Sequence, residues 1–272
     1  MPATSPVGPL LRRWRQTRGL SQLALAEQAE VSTRHISYVE NGRSQPSREM
    51  VLVLASALDV PLRERNALLI AAGFAPVYRE SGISEPQMAR VRRALDFMLE
   101  QQDPFPAMVV DRGWNLVLTN GGTERMLQHL TPDFAALGAH AHNMMHMLFH
   151  PKGLRQYVVN WDQVARVSMA RLLREAQEDA LHQDVVPLMD ALMAYPDMPQ
   201  SYREPSPADA SEVMVPVHTR HDGVELRLFI TITTLGTPLD ITAQELRIEC
   251  YYPMDDPTEA WFRDAQMAAA RA

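Results

Sequence analysis

The sequence predicts a multidomain chain: an all-α head of five short helices over residues 1–80, then an α+β body over residues 84–265. The body should hold an antiparallel sheet of about five strands with helices on one face. Three observations predict this. Apolar residues recur at helical spacing up to Gly73, between serine caps and glycine stops. The stretch GFAPVYRESGISEP then breaks the period with Gly, Pro and Ser. Beyond QQDPFP the period switches to strand alternation, which returns near the end after a long helical middle.

Composition supports a folded chain and separates its two parts. The chain is 46% hydrophobic and 22% charged, ordinary for a folded protein. Through Glu80 there are 10 Lys and Arg against 7 Asp and Glu, a net of +3; the remainder carries 16 against 26, a net of -10. A basic head on an acidic body points to an anionic partner for the head alone. The single cysteine, Cys250, excludes an intrachain disulfide and fits a reducing compartment. No signal-peptide core opens the sequence and no apolar run is long enough to span a bilayer, so a cytoplasmic protein without membrane partners is expected.

In the head, Leu10, Leu11, Trp14, Thr17 and Arg18 predict a first helix ended by Gly19. Ser21 caps a second, with Leu23, Leu25, Ala26 and Ala29 as its apolar positions. Ser32 caps a third, which carries Ile36 and Val39 inward and stops at Asn41-Gly42. Ser47 caps a fourth, holding Met50, Val51, Leu54, Ala55 and Leu58. Pro61 opens a fifth, closed by Gly73. The third helix, in VSTRHISYVENGRSQPS, is polar on all but one stripe.

The run LRRWRQTRGLSQLALAEQAEVSTRHISYVENGRSQPSREMVLVLASALDVP resembles the helix-turn-helix of phage-repressor-like regulators, the XRE family. The resemblance implies a double-stranded DNA operator as partner and gives the polar face a purpose. In such folds the second helix of the motif lies in the major groove and its first residues meet base edges. Gln22 matches a family glutamine that bonds a phosphate and sets register. Thr33 and Arg34 match base-reading positions, and an arginine there can hold guanine O6 and N7 together. Ser32, His35, Ser37 and Tyr38 complete the reading face, and Arg43 and Ser44 should touch phosphate. Arg15 and Glu40 match a family ion pair tying the first helix to the third. The plainer alternative is a helical interaction domain with a solvated basic face.

In the body, Ser84 and Gln87 make a capping-box pattern around Glu85 and Pro86. Met88, Val91, Leu95, Met98 and Leu99 form a stripe that packs on its own domain or on a second copy. AMVVDRGWNLVLTN reads as two strands about the turn Asp111-Arg112-Gly113. Helical material runs from Glu124 to about Tyr195, with Trp161, Val164, Val167, Leu172 and Leu173 inward. A proline-rich loop, YPDMPQSYREPSPADAS, follows. VMVPVHTR, VELRLFITITT and QELRIECYYP are the last three strands, joined at HDG and LGTP. This is the layout of a PAS-like sensor domain, which leaves its ligand undefined.

PAMVVDRGWNLVLTN, MLFHPKGLR, NWDQVARVSMARLLREA and LMAYP resemble the C-terminal domain of MmyB-like transcriptional regulators. The resemblance implies a PAS-like domain that binds a small apolar molecule, with fatty acids the proposed class. Among 16 Met, Met108, Met126, Met144, Met145 and Met147 lie around the first hairpin and helix, where methionine adapts to varied apolar shapes. The expected pocket has Met144, Met147, Phe149 and Trp161 as walls. His146, Asn160 and Arg155 are its polar groups, and Arg155 can pair with a carboxylate.

His142, His146 and His150 repeat every four residues in HAHNMMHMLFH, which on one helix face would suit a metal. No cysteine lies near, Pro151 should end the helix, and the second resemblance accounts for FHPKGLR without metal. No metal or other cofactor is therefore expected. Phosphate-binding glycine loops, the Gly-x-Ser-x-Gly elbow and Cys-x-x-Cys pairs are missing, so no enzyme is expected. Two function classes fit: a ligand-responsive, homodimeric transcription factor, or a DNA-binding protein whose body serves only dimerisation or protein interaction. A pocket favours the first and a solidly packed sheet face the second.

Overall fold

Serine caps set the helices of the head. In the computed structural model, which describes residues 6–131, 133–178, 185–203 and 216–271, the side chains of Ser21, Ser32 and Ser47 accept from the backbone N–H of Ala24 (3.0 Å), His35 (3.2 Å) and Met50 (3.2 Å). Each such cap stabilises its helix by about 1 kcal/mol. The helices are α1 (Val7–Thr17), α2 (Gln22–Gln28), α3 (Thr33–Glu40), α4 (Arg48–Ala57) and α5 (Leu62–Ala71). Gly42, at φ 67°, ends α3 in the left-handed conformation that glycine adopts without a side-chain clash. Leu11, Trp14, Leu25, Ile36, Val39, Val51, Leu54 and Leu68 form the core. Leu23, expected inward, is 57% exposed instead. A β-carbon on Gly8 would lie 2.4 Å from the Val39 carbonyl oxygen, so α1 reaches the end of α3 only because residue 8 has no side chain.

The chain divides into two compact units, residues 1–81 with 237–244, and residues 82–236 with 245–272. In the first, Asn66 Nδ2 donates to the Tyr78 carbonyl (2.7 Å), the Ile241 N–H to Arg79 O (2.8 Å) and the Leu62 N–H to Gln244 Oε1 (2.7 Å). Only a turn was expected at residues 235–238, yet a further short helix lies just beyond it.

The second unit opens with a 3-10 turn, Pro86–Met88, running into α6 (Ala89–Gln102). The expected capping box gives way here: the residue before the turn is Glu85, whose carboxylate accepts from the Gly82 N–H at 2.7 Å. Strands β1 (Ala107–Val110) and β2 (Leu116–Thr119) follow, then helices α7 (Gly121–Leu130), α8 (Phe134–Leu137), α9 (Met144–Phe149), α10 (Trp161–Glu178) and α11 (Val185–Met193). The remaining elements are β3 (Val217–His221), β4 (Val224–Thr234), β5 (Arg247–Pro253) and α13 (Asp256–Ala269); α12 (Ile241–Glu245), between β4 and β5 in the chain, belongs to the first unit through Gln244. Residues 213–215 of the expected third strand and residues 204–211 of the proline-rich loop lie outside the described residues.

The sheet has five strands in the order β2-β1-β5-β4-β3, all antiparallel. The β3–β4 turn is Asp222-Gly223, both at positive φ (46° and 79°), the pairing that matches the twist of a two-residue hairpin. Alternation along β1 and β5 divides two cores. Met108, Val110 and Tyr251 face the helical layer with Trp114, Leu172 and Phe262. Ala107, Val109, Ile248 and Cys250 face Leu95 and Leu99 of α6, with Val91 and Met98 partly buried beside them. Helices therefore cover both faces of the sheet rather than one, and the α6 stripe packs on its own domain. The C-terminal helix α13 is a second departure from expectation; Asp255 caps it by accepting from Thr258 N at 2.9 Å.

Candidate nucleic-acid face and apolar cavity

The turn between α2 and α3 presents a defined polar face. Ser32, Arg34 and Arg43 are exposed, while Thr33, His35, Ser37, Tyr38 and Ser44 are half-buried. Arg34 folds back along its helix, its Nε and Nη2 donating to the Tyr38 hydroxyl at 3.0 and 2.8 Å. Ser37 is engaged by Asn41, which also donates to the Ser37 carbonyl. His35 turns inward: its Nε2 is enclosed and has no hydrogen-bond partner among the described residues.

Beneath this face, Arg15 Nε and Nη2 grip both oxygens of Glu40 at 2.6 and 2.9 Å. Gln22 Nε2 bonds the same carboxylate at 2.9 Å, and Arg15 Nη1 donates to the Leu20 carbonyl at 2.7 Å. The hydrogen bond to Glu40 raises the Arg15 pKa further, so the guanidinium stays charged. α1, the start of α2 and the end of α3 thus meet on one carboxylate, which orients the polar face.

In the sheet unit, a cavity of about 270 Å³ lies between the inner face of β3, β4 and β5 and the helices α7, α9 and α10. Its walls are apolar, with Met126, Met144, Met145, Val164, Leu228 and Ile230 among them. That volume sits just under the roughly 300–1,000 Å³ typical of small-molecule sites, which points to a small ligand. Trp114, Arg171, Glu249 and Tyr251 make one end polar. Two guanidiniums lie over the Trp114 ring, with Arg171 Cζ 4.4 Å and Arg247 Cζ 5.1 Å from its centroid. Glu175 ties the group together, accepting from Arg171 Nε (3.0 Å), Trp114 Nε1 (3.0 Å) and Arg247 Nη1 (3.1 Å). Glu249 is held more loosely, with the Tyr251 hydroxyl at 3.3 Å and Arg171 Nη1 at 3.5 Å. Burial pushes the Glu249 carboxyl up, against the pull of Arg171, and burial keeps the Tyr251 hydroxyl protonated.

Of the seven residues expected to hold a ligand, Met144 lines this cavity. Along α9, Met144, Met145 and Leu148 face the cavity, while His146, Met147 and Phe149 do not. Met147 and Phe149 are 1% and 0% exposed in the core. Phe149 meets Trp161 edge-on at 5.2 Å. Arg155 stacks over Trp161 at 5.1 Å and donates to the Pro196 carbonyl at 2.8 Å. Asn160 bonds the Pro216 carbonyl (2.7 Å) and the His218 N–H (3.0 Å), tying the start of α10 to β3.

Arg171, Glu249 and Tyr251 were not expected at the site. One signal was present: in RIECYYP the alternation places Arg247, Glu249 and Tyr251 on one strand face, and two charges opposite the apolar face of Ile248 and Cys250 mark a special position.

The histidine spacing does not produce a shared helix face. α9 begins only after Asn143, which caps it, and His150 closes it, so His142 stands before the helix. His146 stacks on His140 at 3.9 Å and its Nδ1 lies 2.7 Å from the Tyr195 hydroxyl. Burial, with His140 and His150 nearby, pushes its pKa from 6.5 down to about 4. Between those values the unfolded chain carries a proton on this ring that the folded chain does not, so stability falls as pH drops through the window. The loss should be about 3 kcal/mol. Urea melts at the two ends of the window should show this loss in the natural protein and a smaller one in His146→Phe.

A head with a helix-turn-helix and a separate body enclosing an apolar cavity define a two-module binding protein. The chain belongs to the family of the MmyB-like transcription regulator ligand binding domain, which matches residues 91–265. Residues 7–68 match a helix-turn-helix domain. The Transcriptional regulator ClgR of Mycobacterium tuberculosis, in two strains, is 36% identical over 67 residues, covering 25% of this chain and 57% of ClgR. The chain thus spans little more than half the length of these curated relatives. A solved structure titled "Structure of an RNA-binding Light-Oxygen-Voltage Receptor" aligns over 98% of this chain and 64% of its own, at 12% identity and a TM-score of 0.28, too low to carry an argument. Among the described residues no helix is long and apolar enough to cross a membrane.

Proposed function

We propose that the protein is a transcriptional regulator that reads a DNA operator with α3 and senses a small, mostly apolar ligand in its sheet unit. The observation that carries the proposal is the joining, in one chain, of the oriented α3 face to a cavity of about 270 Å³. ClgR, which resembles the head, is named a transcriptional regulator, and this supports the same activity here. A fatty-acid-like chain is the ligand class that suits the methionine-rich walls. A cavity against the sheet favours a ligand over a body that serves protein interaction alone.

Gln22, Arg43 and Ser44 act on phosphates in this reading, and Ser32, Thr33, Arg34, His35, Ser37 and Tyr38 form or support the base-reading surface. Arg34 leaves the Tyr38 hydroxyl to reach a base edge. One such helix reads few base pairs, so the chain acts as a homodimer on half-sites about 34 Å apart.

The test is selection of duplexes from a random pool by the full chain, followed by titration of variants. Arg34→Ala should relax preference at one position per half-site, worth roughly 1–3 kcal/mol. Arg43→Ala should weaken all sequences alike and lower the salt slope by about 1. Uniform losses from Arg34→Ala would remove that residue from base reading, and an unenriched pool would end the operator proposal.

A further inference from the structure

Arg171 is the cation on the wall of the cavity, at its polar end. A guanidinium carries several N–H donors in a planar fork. Among the described residues Arg171 makes one hydrogen bond, from Nε to Glu175 at 3.0 Å. Its Nη1 lies 3.5 Å from Glu249, an ion pair without hydrogen-bond geometry. Trp114 packs against the guanidinium, with its ring centroid 4.4 Å from Cζ. Glu175 and Trp114 thus hold the fork in place while most of its donors stay unused. A fork fixed before anything binds suits a planar acceptor that takes two parallel hydrogen bonds.

The charge around Arg171 points the same way. Arg171 and Arg247 share the carboxylate of Glu175, which accepts from both. Glu249 lies on β5 opposite Met108 of β1 and Ile232 of β4, so its neighbours across the sheet are apolar. It is 5% exposed, and burial pushes its carboxyl toward the neutral form. With the proton on Glu249, two guanidiniums face one ionised carboxylate, which leaves an enclosed site with excess positive charge. An anionic group from a ligand would cancel that excess, and the Glu249 O–H can donate to it. Arg155, expected to pair with a carboxylate, is engaged by Trp161 and the Pro196 carbonyl and does not line the cavity.

We infer that Arg171 anchors the ligand by gripping the carboxylate of an acyl chain, whose tail lies along the apolar walls. This rests on the reading of the cavity as a ligand site.

The experiment is calorimetric titration of the full chain at neutral pH with decanoate and with decanol, matched in chain length. In an apolar cavity without a free cation the ionised head would bind less well, because nothing offsets its desolvation. Seated on Arg171, decanoate should bind tighter than decanol by roughly tenfold or more, the scale of one hydrogen bond between charged groups. Arg171→Gln should erase or reverse that preference, and Arg171→Lys, which keeps the charge, should retain part of it. Decanol binding the natural protein as tightly as decanoate would overturn the inference and leave the ligand site standing. A preference unchanged in folded Arg171→Gln would also overturn it. Binding of neither probe, with no lipid-sized mass co-purifying, would overturn the ligand site and the inference together. If Arg171→Gln fails to fold, the two probes on the natural protein still decide.

Discussion

Glu40→Ala should destabilise the helical unit by roughly 3–5 kcal/mol, the loss expected when one partner of a buried ion pair is removed. The side chain of Glu40 is 2% exposed and accepts from Arg15 twice and from Gln22 once. Its removal leaves a guanidinium and an amide facing an enclosed space. Glu40→Gln keeps the shape and one acceptor, so it should fall between Ala and the natural residue. Replacing Arg15 and Glu40 together by methionine and leucine should cost far less than Glu40→Ala, because the penalty comes from the stranded partner. Urea melts of the full chain, followed by helical circular dichroism and arranged as a double-mutant cycle, measure the coupling. A Glu40→Ala loss below about 1 kcal/mol would assign the pair the value of a surface contact.

Trp114→Ala should destabilise the sheet unit by a comparable amount, roughly 3–5 kcal/mol for a large aromatic removed from a core. Trp114 is 2% exposed. It donates to Glu175, carries the guanidiniums of Arg171 and Arg247 over its ring, and forms part of the cavity wall. Without it, two stacked guanidiniums lose their shared ring and the cavity opens into the cluster. Trp114→Phe keeps a ring but not the indole N–H, and should cost about 1–2 kcal/mol. Chemical denaturation followed by tyrosine fluorescence checks both. Equal losses from Ala and Phe would mean that the hydrogen bond to Glu175, and not the ring, is what matters.

Local signals were legible in the sequence and long-range ones were not. Ser21, Ser32 and Ser47 cap helices because their oxygens bond an N–H three residues away, which a short window contains. β4 spans Val224–Thr234, the whole of the alternating run, and Asp222-Gly223 makes the turn. The Ser84–Gln87 pattern was equally local, but Glu85 took the Gly82 N–H and the box did not form. The four-residue spacing of His142, His146 and His150 does not give one helix face, because Asn143 caps α9 between the first two.

The cavity's polar end shows the other limit. Trp114, Arg171, Glu175, Arg247, Glu249 and Tyr251 come from the first hairpin, a middle helix and the last strand. They meet only because β1 pairs with β5, with Val109 opposite Ile248. Alternation in RIECYYP separates its two faces but does not say which meets α6 and which meets α10, since both are apolar. The expected ligand set followed α9 along the sequence instead. Of that set only Met144 points into the cavity, because helical rotation turns neighbours to different sides.

Occupancy of the cavity should change DNA affinity, and fluorescence anisotropy of a selected duplex titrated with the full chain measures that change. The ligand is whichever alkanol or alkanoate raises the melting temperature, used at saturation. A ligand can shift operator affinity only if the DNA-binding and non-binding states hold it unequally. The titration curves with and without that ligand should be displaced by roughly 5–150-fold. Superimposed curves at saturating ligand would contradict it.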